Sequence, residues 1–424
     1  MKRYLSLLMA LALASGCATI SEQPDPTQTS QALPHDITAG QARLVARLYP
    51  ELAEKAEPND NLFISPLSLS EGLGLALLGA RGQTEAEMRE LLGWDAASKP
   101  ELMVKSYDRS LMQTGDDKVA LSVANALWLS DEITFVPDYL LEAKDGFGAT
   151  TLQVDFGGDP EGSAETINGW VSEQTRERIT RIVEANGFND RTAAVLTNAI
   201  WFKADWSMPF EDGSTGEFTR GDGTTRLVYM MERIAPMPYR ETREGQAVQL
   251  PYGANGRFTM EVFLPKNMDV LKRWERNLRS GSFDLSKQGS DARFDLGATE
   301  ERRILLRLPR LEARFDKSVK GALIAAGIPC AFNDKCADFG NMAAAPLAID
   351  DVAHATFLRV DEKGTEAAAV TAVKIVVVGG RRLREDLPKM IVDRPFLLTI
   401  RDRESGALIF FGRIANPISA EKAQ

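Results

Sequence analysis

Residue types that commonly carry protein chemistry are scarce in this chain. It has two histidines, His35 and His354, and three cysteines, Cys17, Cys330 and Cys336. His35 lies in a stretch rich in Pro, Ser, Thr and Gln, so a histidine-dependent hydrolase would have to use His354. No G-x-S-x-G turn surrounds a serine to make it a nucleophile. HExxH, P-loop and paired CxxC patterns are absent, so no metal or nucleotide site is expected. Gly72, Gly74 and Gly79 imitate a dinucleotide loop, but its third glycine belongs at the position of Leu77. Those glycines suit close helix packing instead. His354 sits in the mostly apolar run 352–360 and reads as a buried structural residue.

The unusual chemistry lies in a segment rather than a cluster. Residues 361–394 form a long, weakly punctuated run, and loops of that length in compact domains are functional or disordered. Disorder does not fit a segment rich in Ala, Val and Ile. Side chains of a strand alternate between faces. One face would carry Thr365, Ala367, Ala369, Thr371, Val373, Ile375 and Val377, with no charge. The other would carry Glu366, Ala368, Val370, Ala372, Lys374 and Val376. Such a segment could enter a sheet as a central strand, its small residues slipping between existing strands and Gly364 acting as the pivot. An ordinary strand and turn is the local alternative.

The first residues read as an export signal, with Lys2 and Arg3 ahead of a short apolar run over 5–14. That run is too short to span a bilayer comfortably. The small residues Ala14, Ser15 and Gly16 directly before Cys17 resemble a bacterial lipobox. The resemblance implies cleavage before Cys17 and lipidation of its thiol; an ordinary secretory signal with an incidental cysteine is the alternative. Ala18 in place of Asp favours the outer membrane of a Gram-negative cell. Residues 1–16 are thus expected to be a signal, 17–38 a lipidated tether and 39–424 one folded domain. The net charge of -10 argues against a nucleic-acid partner. Export permits a disulfide between Cys330 and Cys336, with two free thiols as the alternative.

The elements that would hold these residues alternate irregularly. Leu44, Val45, Leu48 and Leu52 recur at helical spacing. A short strand is expected over 62–65, an apolar helix from Pro66 through Leu78, and a helix to about Leu92 opened by a Thr84–Glu87 capping box. Long buried strands are expected over 119–129 and 192–202, with a helix over 163–181 between them. Strand-like runs fill 217–310, 311–326 is partly helical, and a hairpin over 396–414 closes the chain. Early helices and late strands indicate an α+β domain with mixed sheets.

Several stretches, in order, resemble one family. They are 61–68 (NLFISPLS), 78–84 (LGARGQT), 196–203 (LTNAIWFK), 250–252 (LPY), His354 followed by 360–369 (VDEKGTEAAA), 394–396 (RPF), and 411–413 (FGR) with Asn416-Pro417. Together they cover about residues 40–418, and the chain is identified as a member of the serpin family. The resemblance implies an α+β serpin fold of three mixed β-sheets and about nine helices with an exposed reactive-centre loop. It implies an inhibitor rather than an enzyme, a monomer without cofactor, whose partner is a serine protease. The protease attacks the loop through its own serine. The cleaved loop then inserts into the main sheet and traps the protease as a covalent complex.

Residue by residue, Glu362, Gly364, Thr365, Glu366, Ala367, Ala368 and Ala369 match the inhibitory hinge. Ser65, Ser68, Asn198 and His354 match a polar cluster that controls sheet opening, and Trp206 matches the tryptophan near the loop's entry point. Counting from Glu362 puts the reactive bond at Val378-Gly379, which suits an elastase-like pocket. Arg381, Arg382 and Arg384 are the alternative reactive sites and suit trypsin-like proteases. A noninhibitory serpin, acting as a binding or folding module, is the rival reading, and the small-residue hinge argues against it.

Overall fold

A computed structural model describes residues 35–102, 104–105, 111, 115–279, 300–365 and 387–421. The helical spacing near the start gives α1 (His35–Lys55), in which Leu44, Val45 and Leu48 are fully buried. The helix begins inside the stretch expected to be tether, and the buried Ile37 pins its first turns. Strand β1 (Leu62–Ile64) leads through Ser65 into α2 (Pro66–Gly79). Ser65 caps α2 by accepting from the Ser68 amide at 3.1 Å, and Pro66 supplies a preset first turn. The glycines of α2 do permit close approach. A Cβ on Gly79 would lie 2.5 Å from that of Met342.

Two sequence expectations need correction. Helix α3 (Gly82–Leu92) has Arg81 at its N-cap, so Thr84 and Glu87 form no capping box. Tertiary partners take both side chains: Thr84 accepts from the Asp338 amide at 3.0 Å, and Glu87 from the Cys330 amide at 2.9 Å. The helix expected over 163–181 is α5 (Pro160–Gln174), reached after β2 (Val119–Ser130), α4 (Pro137–Phe147) and β3 (Thr150–Val154). It stops because Thr175 bonds Ile179 N at 3.1 Å and because Arg176 and Glu177 take left-handed φ values of 50° and 63°. Ile179 is fully buried, but in the loop beyond the helix.

The first sheet contains β4 (Ala194–Asp205), β10 (Leu311–Ser318), β11 (Asp351–Val360) and β12 (Gly364–Thr365). Its order is β10-β11-β12-β4-β2-β3, with β11 also pairing β4 directly. The second sheet contains β5 (Glu211–Thr219), β6 (Thr225–Glu241), β7 (Gly245–Pro251), β8 (Phe258–Pro265), β9 (Glu300–Pro309), β13 (Lys389–Ile391), β14 (Phe396–Asp402) and β15 (Leu408–Ile414). It runs β1-β15-β14-β8-β7-β6-β9-β13, with β5 on β6. The 17-residue β6 pairs with β5 and β9 in one limb and β7 in the other, so two of the three expected sheets are hydrogen-bonded into one. Among the described residues, helices α6 (Met268–Asn277) and α7 (Lys320–Ala326) and short 3-10 turns at Ala185–Gly187 and Cys330–Phe332 complete the regular elements, and 100–102, 104, 105 and 111 are also helical.

Packing fixes how the first sheet is held. Between the sheets, Phe202 on β4 meets Phe258 and Phe410 at ring-centroid distances of 5.8 and 6.4 Å. On the outer face, Val171 of α5 and Ile179 pack against Ala355 and Phe357 of β11. Strands β4 and β11 are therefore central, buried on both faces. The fold is an α+β assembly of mixed sheets, as the sequence pattern leads one to expect.

Candidate functional site

The site is the seam between β4 and β11. These strands pair in parallel from Asp351↔Val195 to Thr356↔Ile200, a constant offset of 156. That offset carried onward would pair Val360 with Ala204. Instead Thr365 stands between them, antiparallel to both. The seam is bonded from Asp351 to Thr356 and parted at Val360, and Gly364 and Thr365, two residues of the expected hinge, occupy the parting.

Local chemistry holds the hinge there. Asp361, Glu362 and Lys363 form a tight turn in which Asp361 N donates to Gly364 O at 2.9 Å. Gly364 is required by close approach: a Cβ would lie 2.1 Å from Ala204 O. The Thr365 side chain is fully buried, and its hydroxyl bonds the Tyr252 hydroxyl at 2.6 Å. Burial pushes the Tyr252 phenol well above its ordinary range, so it stays protonated. Trp206 stacks on Tyr252 with centroids 4.3 Å apart and donates from its indole to Asp361 O at 2.9 Å. The Trp206 and Phe210 amides donate to Lys363 O and Glu362 O at 2.7 and 2.8 Å. The Glu362 carboxylate accepts from Arg310 Nε at 2.9 and 3.0 Å.

Below the hinge, a buried polar cluster crosses the seam. His354 on β11 and Asn198 on β4 are register partners, and His354 Nδ1 lies 2.7 Å from Asn198 Oδ1. His354 Nε2 accepts from the Ser65 amide at 3.0 Å. Nδ1 must therefore carry the proton, and the ring is neutral. Burial pushes its pKa down to about 3. Ser68 Oγ donates to Asn198 Oδ1 at 2.6 Å, and the Asn198 amide donates to Ser68 O and Asn125 Oδ1. Ser65, Ser68, Asn198 and His354 are thus brought together across α2, β4 and β11.

The sequence reading missed five contributors. Asn125, Glu71 and Thr356 extend the cluster: Asn125 donates to Glu71 at 3.2 Å, and Thr356 to Phe63 O at 2.7 Å. Asn125 and Thr356 were visible as polar residues inside largely apolar strands. Arg310 had no local signal, because its partner is 52 residues away. Tyr252 was part of a matched motif but had no assigned role. Cys330 and Cys336 are joined in the structure, with Cα atoms 5.3 Å apart. Glu366, Ala367, Ala368, Ala369, Val378, Gly379, Arg381, Arg382, Arg384 and Cys17 lie outside the described residues. Among the described residues, no group of three His, Cys, Asp or Glu could hold a metal, and no helix is long and apolar enough to cross a membrane.

Comparison with known proteins identifies the fold and the family. The family model for serpins (serine protease inhibitors) matches residues 39–417. An uncharacterised serpin-like protein of Thermococcus kodakarensis is 33% identical, over 98% of this chain and 99% of that one. Antithrombin-III of Homo sapiens is 30% identical, over 94% of this chain and 85% of that one. The crystal structure of a highly specific serpin from the insect Tenebrio molitor superposes with a TM-score of 0.77 at 23% identity, covering 90% of this chain and 98% of that one. The chain belongs to the serpin family.

Proposed function

We propose that this chain inhibits serine proteases as a suicide substrate, carried on a lipid anchor at Cys17 at the outer membrane or cell surface. The observation that carries the reading is the seat of Thr365 between Val360 and Ala204. A segment with one uncharged, small-residue face follows directly from that seat. Continued insertion would exchange one parallel ladder for two antiparallel ones. About a dozen newly paired residues, each worth roughly 0.5–1.5 kcal/mol net, give on the order of 10 kcal/mol. The exposed-loop form is then a kinetically trapped state.

The covalent step belongs to the target's serine. Its Oγ attacks the Val378 carbonyl, the Val378–Gly379 amide breaks, and the Gly379 nitrogen leaves with a proton. An ester remains between the protease and Val378. Insertion outruns hydrolysis, displaces the protease and distorts its catalytic geometry. Val378 suits elastase-like or chymotrypsin-like targets; Arg381, Arg382 and Arg384 would suit trypsin-like ones. The chain itself supplies no catalytic residue, needs no cofactor and acts as a monomer.

The test is to mix the protein with elastase, and separately with trypsin, and run denaturing gels with mass spectrometry. An SDS-resistant complex cleaved after Val378 supports mechanism and register together. A complex with trypsin alone, cut after one of the three arginines, moves the site. Cleavage without a complex across a broad protease panel contradicts the proposal.

A further inference from the structure

Asp350 sits one residue before β11, at the end of the seam opposite the hinge. Its backbone amide donates across the seam to Ala194 O at 2.8 Å. Its carboxylate returns across the same seam, with Oδ2 accepting from the Ala193 amide and, at 3.3 Å, from the Ala194 amide. Three hydrogen bonds therefore cross the seam at a single residue. Two end on a carboxylate and are charge-assisted, unlike the neutral bonds of the ladder above.

The residue is held in place to do this. Ile349 N donates to Ala331 O at 2.9 Å, and Lys320 Nζ donates to Asp350 O at 2.7 Å. Both contacts anchor 349–350 on the β11 side, so the carboxylate reaches from one side of the seam to the backbone of the other. Ala194 is fully buried, which leaves its amide without water as a substitute if the carboxylate is removed.

We infer that Asp350 is a lock on the far end of the β4–β11 seam, and that it regulates how deep the loop inserts. The inference rests on the inhibitory reading above. In the hinge register, Thr365 lies between Val360 and Ala204. Residue 365 + k would then lie between 360 − k and 204 − k. Residues through 373 reach Val352 and Leu196, inside the existing ladder. Residue 375 would stand between Asp350 and Ala194, and Val378 beyond them. Shallow insertion leaves the lock closed, whereas insertion through Val378 must break it.

Two synthetic peptides separate the lock from general loosening of the sheet. One has the sequence of residues 366–373, the other that of 366–378, and uptake of each by the full chain is followed by native mass spectrometry. Asp350→Ala should speed uptake of the long peptide about tenfold or more, the size set by losing charge-assisted bonds. Uptake of the short peptide should change less than about twofold on the same scale. Asp350→Asn keeps one acceptor oxygen and should fall between, which preserves the test if the alanine variant does not fold. Hydrogen exchange at the Ala193 and Ala194 amides should quicken in both variants. Equal acceleration of the two peptides, or no acceleration of either, overturns the lock while the inhibitory reading stands. A wild-type chain that takes up neither peptide and forms no protease complex overturns both.

Discussion

Val360 and Ala204 are held apart by Thr365, although the six register pairs from Asp351↔Val195 to Thr356↔Ile200 are directly bonded. The direct ladder therefore ends at Thr356↔Ile200, and four positions further on, at Val360 and Ala204, the seam is already parted. Under the proposed mechanism, loop insertion would propagate from this existing parting and would not need a new one to nucleate.

Thr365→Arg tests that propagation. The side chain is fully buried beside Tyr252, so an arginine there would bury an unpaired charge. The hinge should leave its seat, and the variant should be cut as a substrate with the covalent complex reduced at least about tenfold, the equivalent of 1.4 kcal/mol. Undiminished complex formation on gels would contradict seam propagation.

His354 makes stability depend on pH. Its folded pKa, about 3, lies below its ordinary value of 6.5. Below pH 6.5 the unfolded chain binds a proton that the folded chain cannot, so stability falls as pH drops from 6.5 towards 3. The slope from this group approaches about 1.4 kcal/mol per pH unit. Urea midpoints measured from roughly pH 7.5 down to roughly pH 4.5 should fall for the wild type. They should fall less for His354→Gln.

The Arg310–Glu362 pair ties the turn before the hinge to the end of β9. Both side chains are partly exposed, so the pair contributes about 1 kcal/mol or less. Glu362→Lys replaces the attraction with a like charge. Exchange at the Gly364 and Thr365 amides should quicken about fivefold, the equivalent of that free energy. Unchanged exchange would show that the backbone bonds from Trp206 and Phe210 suffice.

Much of this site was legible from residue order, for a physical reason. Ser65, Ser68, Trp206 and the 360–365 run are local sequence features whose residues the fold keeps together. The strand pattern of 119–129 and 192–202 was legible because the runs are largely apolar and most of their residues are buried or half-buried. Tertiary competition was not legible. Thr84 and Glu87 fit a capping box by spacing, yet the segment carrying Cys330 and Asp338 offers them better-placed amides. The end of α5 was missed because Ile179 continues the apolar period after Thr175 has turned the backbone. Arg310 and Asp350 could not be read as site residues, since their meaning depends on strands that approach only in the folded chain.

The Cys330–Cys336 disulfide closes a short loop, and Cys336 is exposed. Chain-entropy reasoning gives it about 2 kcal/mol. Reduction should lower the melting temperature by a few degrees, roughly 2–4 °C for a domain of this size. The protein should remain folded, because the loop is also bonded to Thr84 and Glu87. Unfolding on reduction would show that those bonds depend on the disulfide.

The most direct test of strand insertion is the melting temperature before and after one cut near Val378, made with a protease that is not trapped. Insertion worth on the order of 10 kcal/mol should raise the melting temperature by more than about 10 °C, given about 2.1 cal/mol/K of unfolding entropy per residue. A cut chain that melts with the intact one would mean that the freed segment does not enter the seam, and would contradict the account at its centre.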